Sequence, residues 1–283
     1  MRQLKPVEYP QLLREIPGAP KQLFIRGAMP APDLRYLCVV GSRACTAYGR
    51  RICASLIAGL ARYPVAVVSG MALGIDAEAL KDALDVGLPA IAILPSSLDD
   101  ASQYPVTNRP LAQRILARGG ALLSEMRGPY RAMLHDFPKR DRIMAGMGHA
   151  TLIVEAGEKS GTLITARLAL DYNREVLAIP HELGRPTGVG VNRLLREGAT
   201  LVRTSDDILE SLGLKLLESP VQATLPTDLT ESEKNIMVAL LEPLVRDELI
   251  ERADLSAQDA SVALSSLLIR GLITERLGKI ERV

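Results

Sequence analysis

The chain has no tryptophan and only two phenylalanines among its 283 residues. Its core must therefore be packed from Leu, Ile, Val and Ala. The scarcity also bears on nucleic-acid binding, because proteins that hold single strands usually stack bases on aromatic rings. Phosphate contacts and a few planar Arg or Tyr groups would have to carry more. Cysteine is sparse too. Cys38, Cys45 and Cys53 form no CxxC pair, and their odd number speaks for reduced thiols rather than a disulfide framework. Cys38 and Cys53 sit in apolar patterns and read as small buried hydrophobes. His135, His149 and His181 show no metal-ligand spacing, so no metal and no cofactor is expected. No apolar run approaches the ~20 residues that span a bilayer, and the N-terminus lacks a secretory pattern. A cytoplasmic protein without membrane contact is expected. Charge of one sign is lacking overall, with a net of +1, but its distribution is uneven. Residues 226–283 hold 7 basic and 11 acidic side chains, against 27 and 22 in the remainder. A basic patch is possible on the larger part, and there is no basic tail.

What is present is a regular alternation. The continuous apolar run at 36–42 reads as a strand buried on both faces, and 65–70, 90–95, 121–125, 151–156, 175–180 and 200–204 read as further strands. Helical patterns lie between them, near 49–62, 76–86, 109–118, 137–148, 162–173 and 190–197, and a last one follows 204. This order implies an α/β fold, with a doubly wound, mostly parallel Rossmann-like sheet over 34–213. Residues 1–33 read as an irregular, Pro-rich arm and 214–228 as a linker. Residues 229–283 read as three short helices and a hairpin, a small winged-helix domain whose first helix opens with a Thr230/Glu233 capping box.

In such sheets ligands bind beyond the carboxyl ends of the strands, and the unusual residues fall there. Gly41-Ser42-Arg43 follows the first of these strands and precedes a helix. Backbone N–H groups, a hydroxyl and a guanidinium fork could together cradle phosphate. The loop is not GxGxxG, and no acidic residue ends the second strand, so dinucleotide binding is unsupported. A tight turn with a surface Arg competes with the phosphate role. Ser69-Gly70 opens a second glycine-containing loop, in which Asp76 is expected to cap or open the next helix. Lys159-Ser160-Gly161-Thr162 is a third, an anion nest or a simple helix cap. Lys139, Arg140 and Arg142 form the densest basic stretch, with a solvated helix face as the alternative. Phe137 beside them is weighed between the core and base stacking.

Together these segments are far more specific than any one alone, and they resemble the DNA-processing protein A family (DprA, also called Smf). The resemblance rests on Gly41-Ser42-Arg43, Ser69-Gly70 through Gly74-Ile75-Asp76, Tyr104-Pro105, Ser124-Glu125, and Phe137-Pro138-Lys139-Arg140-Asp141-Arg142. It continues through Ile153-Val154-Glu155-Ala156, Ser160 to Thr165, and Gly190-Val191-Asn192 to Gly198-Ala199. It implies an extended Rossmann-like domain and a winged helix. It further implies a homodimer that binds single-stranded DNA and loads the RecA recombinase in natural transformation, without catalysis. Matching positions imply Ser42, Arg43, Arg140, Arg142 and Ser160 to Thr162 as contacts. The chain departs from the pattern at Asp141 (usually Asn), His181 (usually Gly) and Leu80 (usually His), and its stretch before Tyr104-Pro105 is longer. Asp141 is expected to repel phosphate. Its alternative role is to pair with Arg43 or Arg140 and hold that side chain in place.

The rivals are a nucleotide-binding module and a nucleoside-monophosphate phosphoribohydrolase of the same superfamily. The latter resembles the chain at a glycine-rich helix start carrying a catalytic Glu. Here Thr165 stands at that position and cannot act as a carboxylate acid or base.

Overall fold

The computed structural model describes residues 1–217, 229–240, 244–276 and 278–282. The chain divides into two compact units, Met1–Leu216 and Leu217–Val283.

The larger unit is built on nine strands. Seven are parallel: β3 (Arg35–Val40), β4 (Val65–Ser69), β5 (Ala90–Ile93), β6 (Ala121–Ser124), β7 (Ala150–Ile153), β8 (Glu175–Ala178) and β9 (Thr200–Leu201). The parallel strands run β6-β5-β4-β3 and continue β7-β8-β9, so strand order reverses between β3 and β7. A doubly wound sheet opens its ligand crevice at that reversal. The apolar runs have the reason expected of them. Leu37 and Val39 of β3 join one core layer and Tyr36, Cys38 and Val40 the other, so successive residues are buried on opposite faces. Over one face lie α2 (Ala47–Ala58), α3 (Ile75–Asp85), α4 (Arg109–Ala117) and α8 (Ser205–Ser211). Over the other lie α5 (Asp136–Met147), α6 (Thr162–Asp171) and α7 (Val189–Arg196).

The N-terminal stretch is no irregular arm. It forms β1 (Arg2–Gln3), α1 (Gln11–Glu15) and β2 (Phe24–Gly27). β2 pairs antiparallel with β6, and β1 with β2. Leu4, Tyr9, Leu13, Ile16, Leu23, Phe24 and Ile25 are all buried. Burial of that much apolar surface outweighs the six prolines of residues 1–33.

The second unit contains α9 (Glu231–Ala239), β10 (Leu244–Val245), α10 (Arg246–Arg252), α11 (Ala257–Ile269), β11 (Ile273–Arg276) and β12 (Lys279–Arg282). Its three strands pair antiparallel in the order β10-β12-β11. Thr230 caps α9, and the reciprocal bond from the Thr230 N–H to Glu233 is 2.7 Å. The short β10 is an addition to the three helices and hairpin read from the sequence. Of the expected linker, 218–228 lie outside the described residues. Among the described residues no helix is long and apolar enough to cross a membrane.

Candidate nucleic-acid interface

Three of the singled-out segments converge over the β3/β7 reversal and enclose a cleft of about 520 Å³. The loop after β3 supplies Gly41, Ser42 and Arg43, α5 supplies one face, and the start of α6 supplies Ser160, Gly161 and Thr162. The face of α5 follows from helical spacing. Phe137, Arg140, Asp141 and Met144 stand at i, i+3, i+4 and i+7 and so share one stripe, which lines the cleft.

The floor is ionic. Arg140 is 5% exposed, and its Nη1 donates to the Ile93 carbonyl at 3.1 Å and lies 4.0 Å from Asp76 Oδ2. Its Nε lies 2.9 Å from Asp141 Oδ1, an ion contact without an aligned hydrogen bond. One guanidinium thus lies against two carboxylates. The backbone N–H groups of Ala72 and Gly41 favour the charged form of Asp76, and the Thr165 hydroxyl that of Asp141. Burial raises both carboxyls above the usual range, Asp76 to about 6, against the opposing pull of Arg140. Asp76 opens α3 as expected, in the first turn after the cap position Gly74, and its carboxylate lies against the Arg140 guanidinium.

Two glycines make this packing possible. A Cβ on Gly70 would lie 1.4 Å from Arg140 Nη1, so only glycine lets the guanidinium lie under that loop. Gly74 has φ +75°, and a Cβ there would meet the Ser42 carbonyl oxygen at 2.2 Å.

The mouth is aromatic and cationic. Arg43 is exposed, with its guanidinium 5.0 Å from the centre of the Phe137 ring. Phe137 meets Tyr104 edge-on at 6.0 Å. Phe137 therefore belongs to the cleft wall, half-buried, and to neither core layer.

Other expected contacts are placed elsewhere. Ser69 is fully buried and its hydroxyl donates to the Val39 carbonyl at 2.6 Å, so it is structural and withdrawn as a contact. Gly70 likewise acts by yielding space beneath its loop. Arg142 bonds Glu125 and the Gly18 carbonyl and does not line the cleft. Two helical positions turn the side chain about 200° away from Arg140. Lys139 is exposed off the cleft wall, 3.8 Å from Asp136. Lys159 is exposed beside the cleft and is not among its lining residues. Ser160 partly caps α6, its Oγ accepting from the Thr162 N–H at 3.3 Å. Ser42 accepts from the Ala44 N–H at 3.2 Å. Glu155, fully buried, accepts from the Thr46 backbone and hydroxyl and so anchors the start of α2. Sequence reasoning missed Tyr104 and Thr165 as site residues. Tyr104 stands in the long connection from β5 to α4, where only its place in the resemblance marked it.

Residues 2–213 match the family described as DNA recombination-mediator protein A. The chain belongs to that family. Curated members similar to it include Protein Smf of Escherichia coli, 41% identical over 205 residues, covering 72% of this chain and 54% of that one. Another is the DNA processing protein DprA of Streptococcus pneumoniae, 37% identical over 201 residues and covering 71% and 70%. The chain thus spans about half the length of the Escherichia coli member. Among solved structures, DNA processing protein A from Streptococcus pneumoniae superposes with TM-score 0.69 at 32% identity, covering 76% of this chain and 75% of that one. The Helicobacter pylori protein superposes with TM-score 0.67 at 29% identity, covering 75% and 94%. The mostly parallel sheet that carries the cleft is therefore the family's fold.

Proposed function

We propose that the chain binds single-stranded DNA in the cleft over β3 and β7, without regard to sequence. The observation that carries this is the pairing at the mouth: an exposed Arg43 guanidinium lies over a half-buried Phe137 ring. A charged donor for phosphate beside a ring for base stacking is the combination that sequence-tolerant strand binding uses. In support, the Helicobacter pylori structure was described for its single-stranded DNA binding mode. Binding rather than catalysis fits the cleft's carboxylates. Asp76 and Asp141 are both engaged by Arg140, and buried Thr165 holds the position where a hydrolase would need Glu.

The finer reading is that the protein works in the cytoplasm as a homodimer, protects incoming strands and loads RecA recombinase in natural transformation. The family's description as a recombination mediator supports the loading role. The open edge of β9, with Leu201 44% exposed, supports self-association. The second unit is read as a winged helix from its helix, strand and hairpin order, and as a protein contact. Its acidic excess and the Asp259 at the start of α11 disfavour phosphate.

A fluorescence-anisotropy titration with unlabelled single strand, duplex and mononucleotide as competitors tests the proposal. Single strand is expected to compete at far lower concentration than either of the others. Equal competition by mononucleotide would instead make this a nucleotide-binding module.

A further inference from the structure

Beyond the cleft lies a second hollow that its chemistry does not require. It measures about 290 Å³ and is walled by Ser102, Gln103, Tyr104, Arg109 and Arg131. It is continuous with the cleft through shared side chains. Arg43 and Phe137 line the cleft and a small pocket beside it, and Tyr104 lines that pocket and the hollow. From the cleft the surface therefore runs over the Phe137–Tyr104 ring pair and down between two guanidinium groups. Tyr104 is 48% exposed. Arg131 is exposed and, among the described residues, makes no ion pair. Arg109 donates to the Ala101 carbonyl at 2.6 Å, which fixes its guanidinium at the wall, and its Nε is buried without a hydrogen-bond partner.

The long stretch before Tyr104 explains why the hollow keeps its positive charge. Its two carboxylates are both engaged by neighbouring donors. Asp99 accepts from the Ser97 hydroxyl at 2.6 Å and the Ser102 N–H at 2.9 Å. Asp100 meets Arg26, Gln103 and Gln113. Among the described residues no carboxylate lines the hollow. Two cations, an exposed phenol ring and no opposing charge suit a nucleotide: phosphate to the guanidiniums and base to the ring.

We propose that the hollow is a second strand-binding segment, taking the nucleotides that continue from the cleft past Phe137 and Tyr104. This rests on the cleft being a single-strand site. The two claims separate in one experiment on the full-length protein. Anisotropy is measured with labelled oligothymidylates rising from about four to about twelve nucleotides, for wild type, Arg131→Gln, Tyr104→Leu and Arg43→Ala. Wild-type affinity is expected to rise with length and then level off. Arg131→Gln should match wild type on the shortest strands and fall behind by about fivefold or more on the longest, the scale of one lost stack or phosphate contact, and the loss in Tyr104→Leu, whose ring also packs on Phe137, should grow with strand length. Arg43→Ala should weaken binding at every length. A second readout is photo-crosslinking from a terminal 5-iodouracil, with Tyr104 as the expected attachment point on long strands only. Variants indistinguishable from wild type at all lengths, beside a weakened Arg43→Ala, overturn the second segment and leave the cleft standing. An equal loss at every length overturns it too, by making both residues part of the cleft. A wild type that binds no single strand overturns the cleft and this segment together.

Discussion

At the scale of single residues, the decisive group is Arg140, because two carboxylates share it. Asp141 makes the contact that an orienting role requires. Yet Arg140 is also held by the Ile93 carbonyl and Asp76, and it is buried. Removing the charge of Asp141 leaves that guanidinium paired, so what changes is the field felt by a phosphate at Arg43. At ~7 Å and an effective dielectric of ~40, the repulsion is about 1 kcal/mol before screening. Asp141→Asn is expected to tighten single-strand binding several-fold at low salt, the gain fading as salt is added. Weaker binding at every salt concentration would show instead that Asp141 orients the site. Asp76 gives a second test. Its carboxyl, raised to about 6 by burial, is charged at pH 8 and largely neutral at pH 5. A bound phosphate raises it further, so binding takes up protons and must tighten as pH falls from 8 towards 5.5. Asp76→Asn should flatten that slope. Asp141→Asn should shift it to lower pH, because a like charge that helps to raise Asp76 is gone. A slope that persists unchanged in Asp76→Asn would place the titrating group elsewhere.

At the scale of elements, α5 and the loop after β4 meet with almost no free volume, and Gly70 is where that shows. Gly70→Ala must push Arg140 off the floor. It should cost about 1–3 kcal/mol of stability, typical of overpacking, and weaken DNA binding as well. Urea denaturation and anisotropy on one preparation check both, and an unshifted urea midpoint would contradict the packing. Strands β4, β5, β6 and β7 were legible because each is an uninterrupted run buried on two faces, unlike the exposed β9, and the βα loops because Gly, Ser and Arg cluster there. Less was legible where the cause is non-local. β2 has four residues, too few for a period to show, and its partner β6 lies almost a hundred residues later. The basic run on α5 read as one patch, but a helix distributes consecutive residues around its axis. Arg140 went to the floor, Arg142 to Glu125 and Lys139 to solvent. Phe137 was ambiguous for the same reason, since only its neighbours in space decide whether a ring packs or waits for a base. The N-terminal elements yield a further prediction. Deleting residues 1–27 removes Leu13, Leu23, Phe24 and Ile25 from the core, each worth roughly 1.5–3 kcal/mol of burial. The truncated chain should lose its cooperative thermal transition. A melting curve like that of the full chain would mean β2 is dispensable.

At the scale of the whole molecule, the cleft lies entirely in the unit Met1–Leu216, which coincides closely with the family match over 2–213. A chain ending at 216 should therefore fold and keep single-strand affinity within about twofold, because the residues removed bring more acidic than basic charge towards phosphate. A large loss with the circular dichroism spectrum of the remaining unit preserved would assign strand contacts to the second unit. The central claim is that Arg43, at the mouth of the cleft, meets the phosphates of a single strand. The most direct measurement is the affinity of wild type and Arg43→Ala for one labelled single strand across a salt series. Wild type should show log K falling linearly with log salt, at roughly 0.7 per phosphate contact. Arg43→Ala should bind about 1–3 kcal/mol more weakly near ~0.1 M salt, with a shallower slope. Equal affinity and equal slope for the two proteins would contradict it.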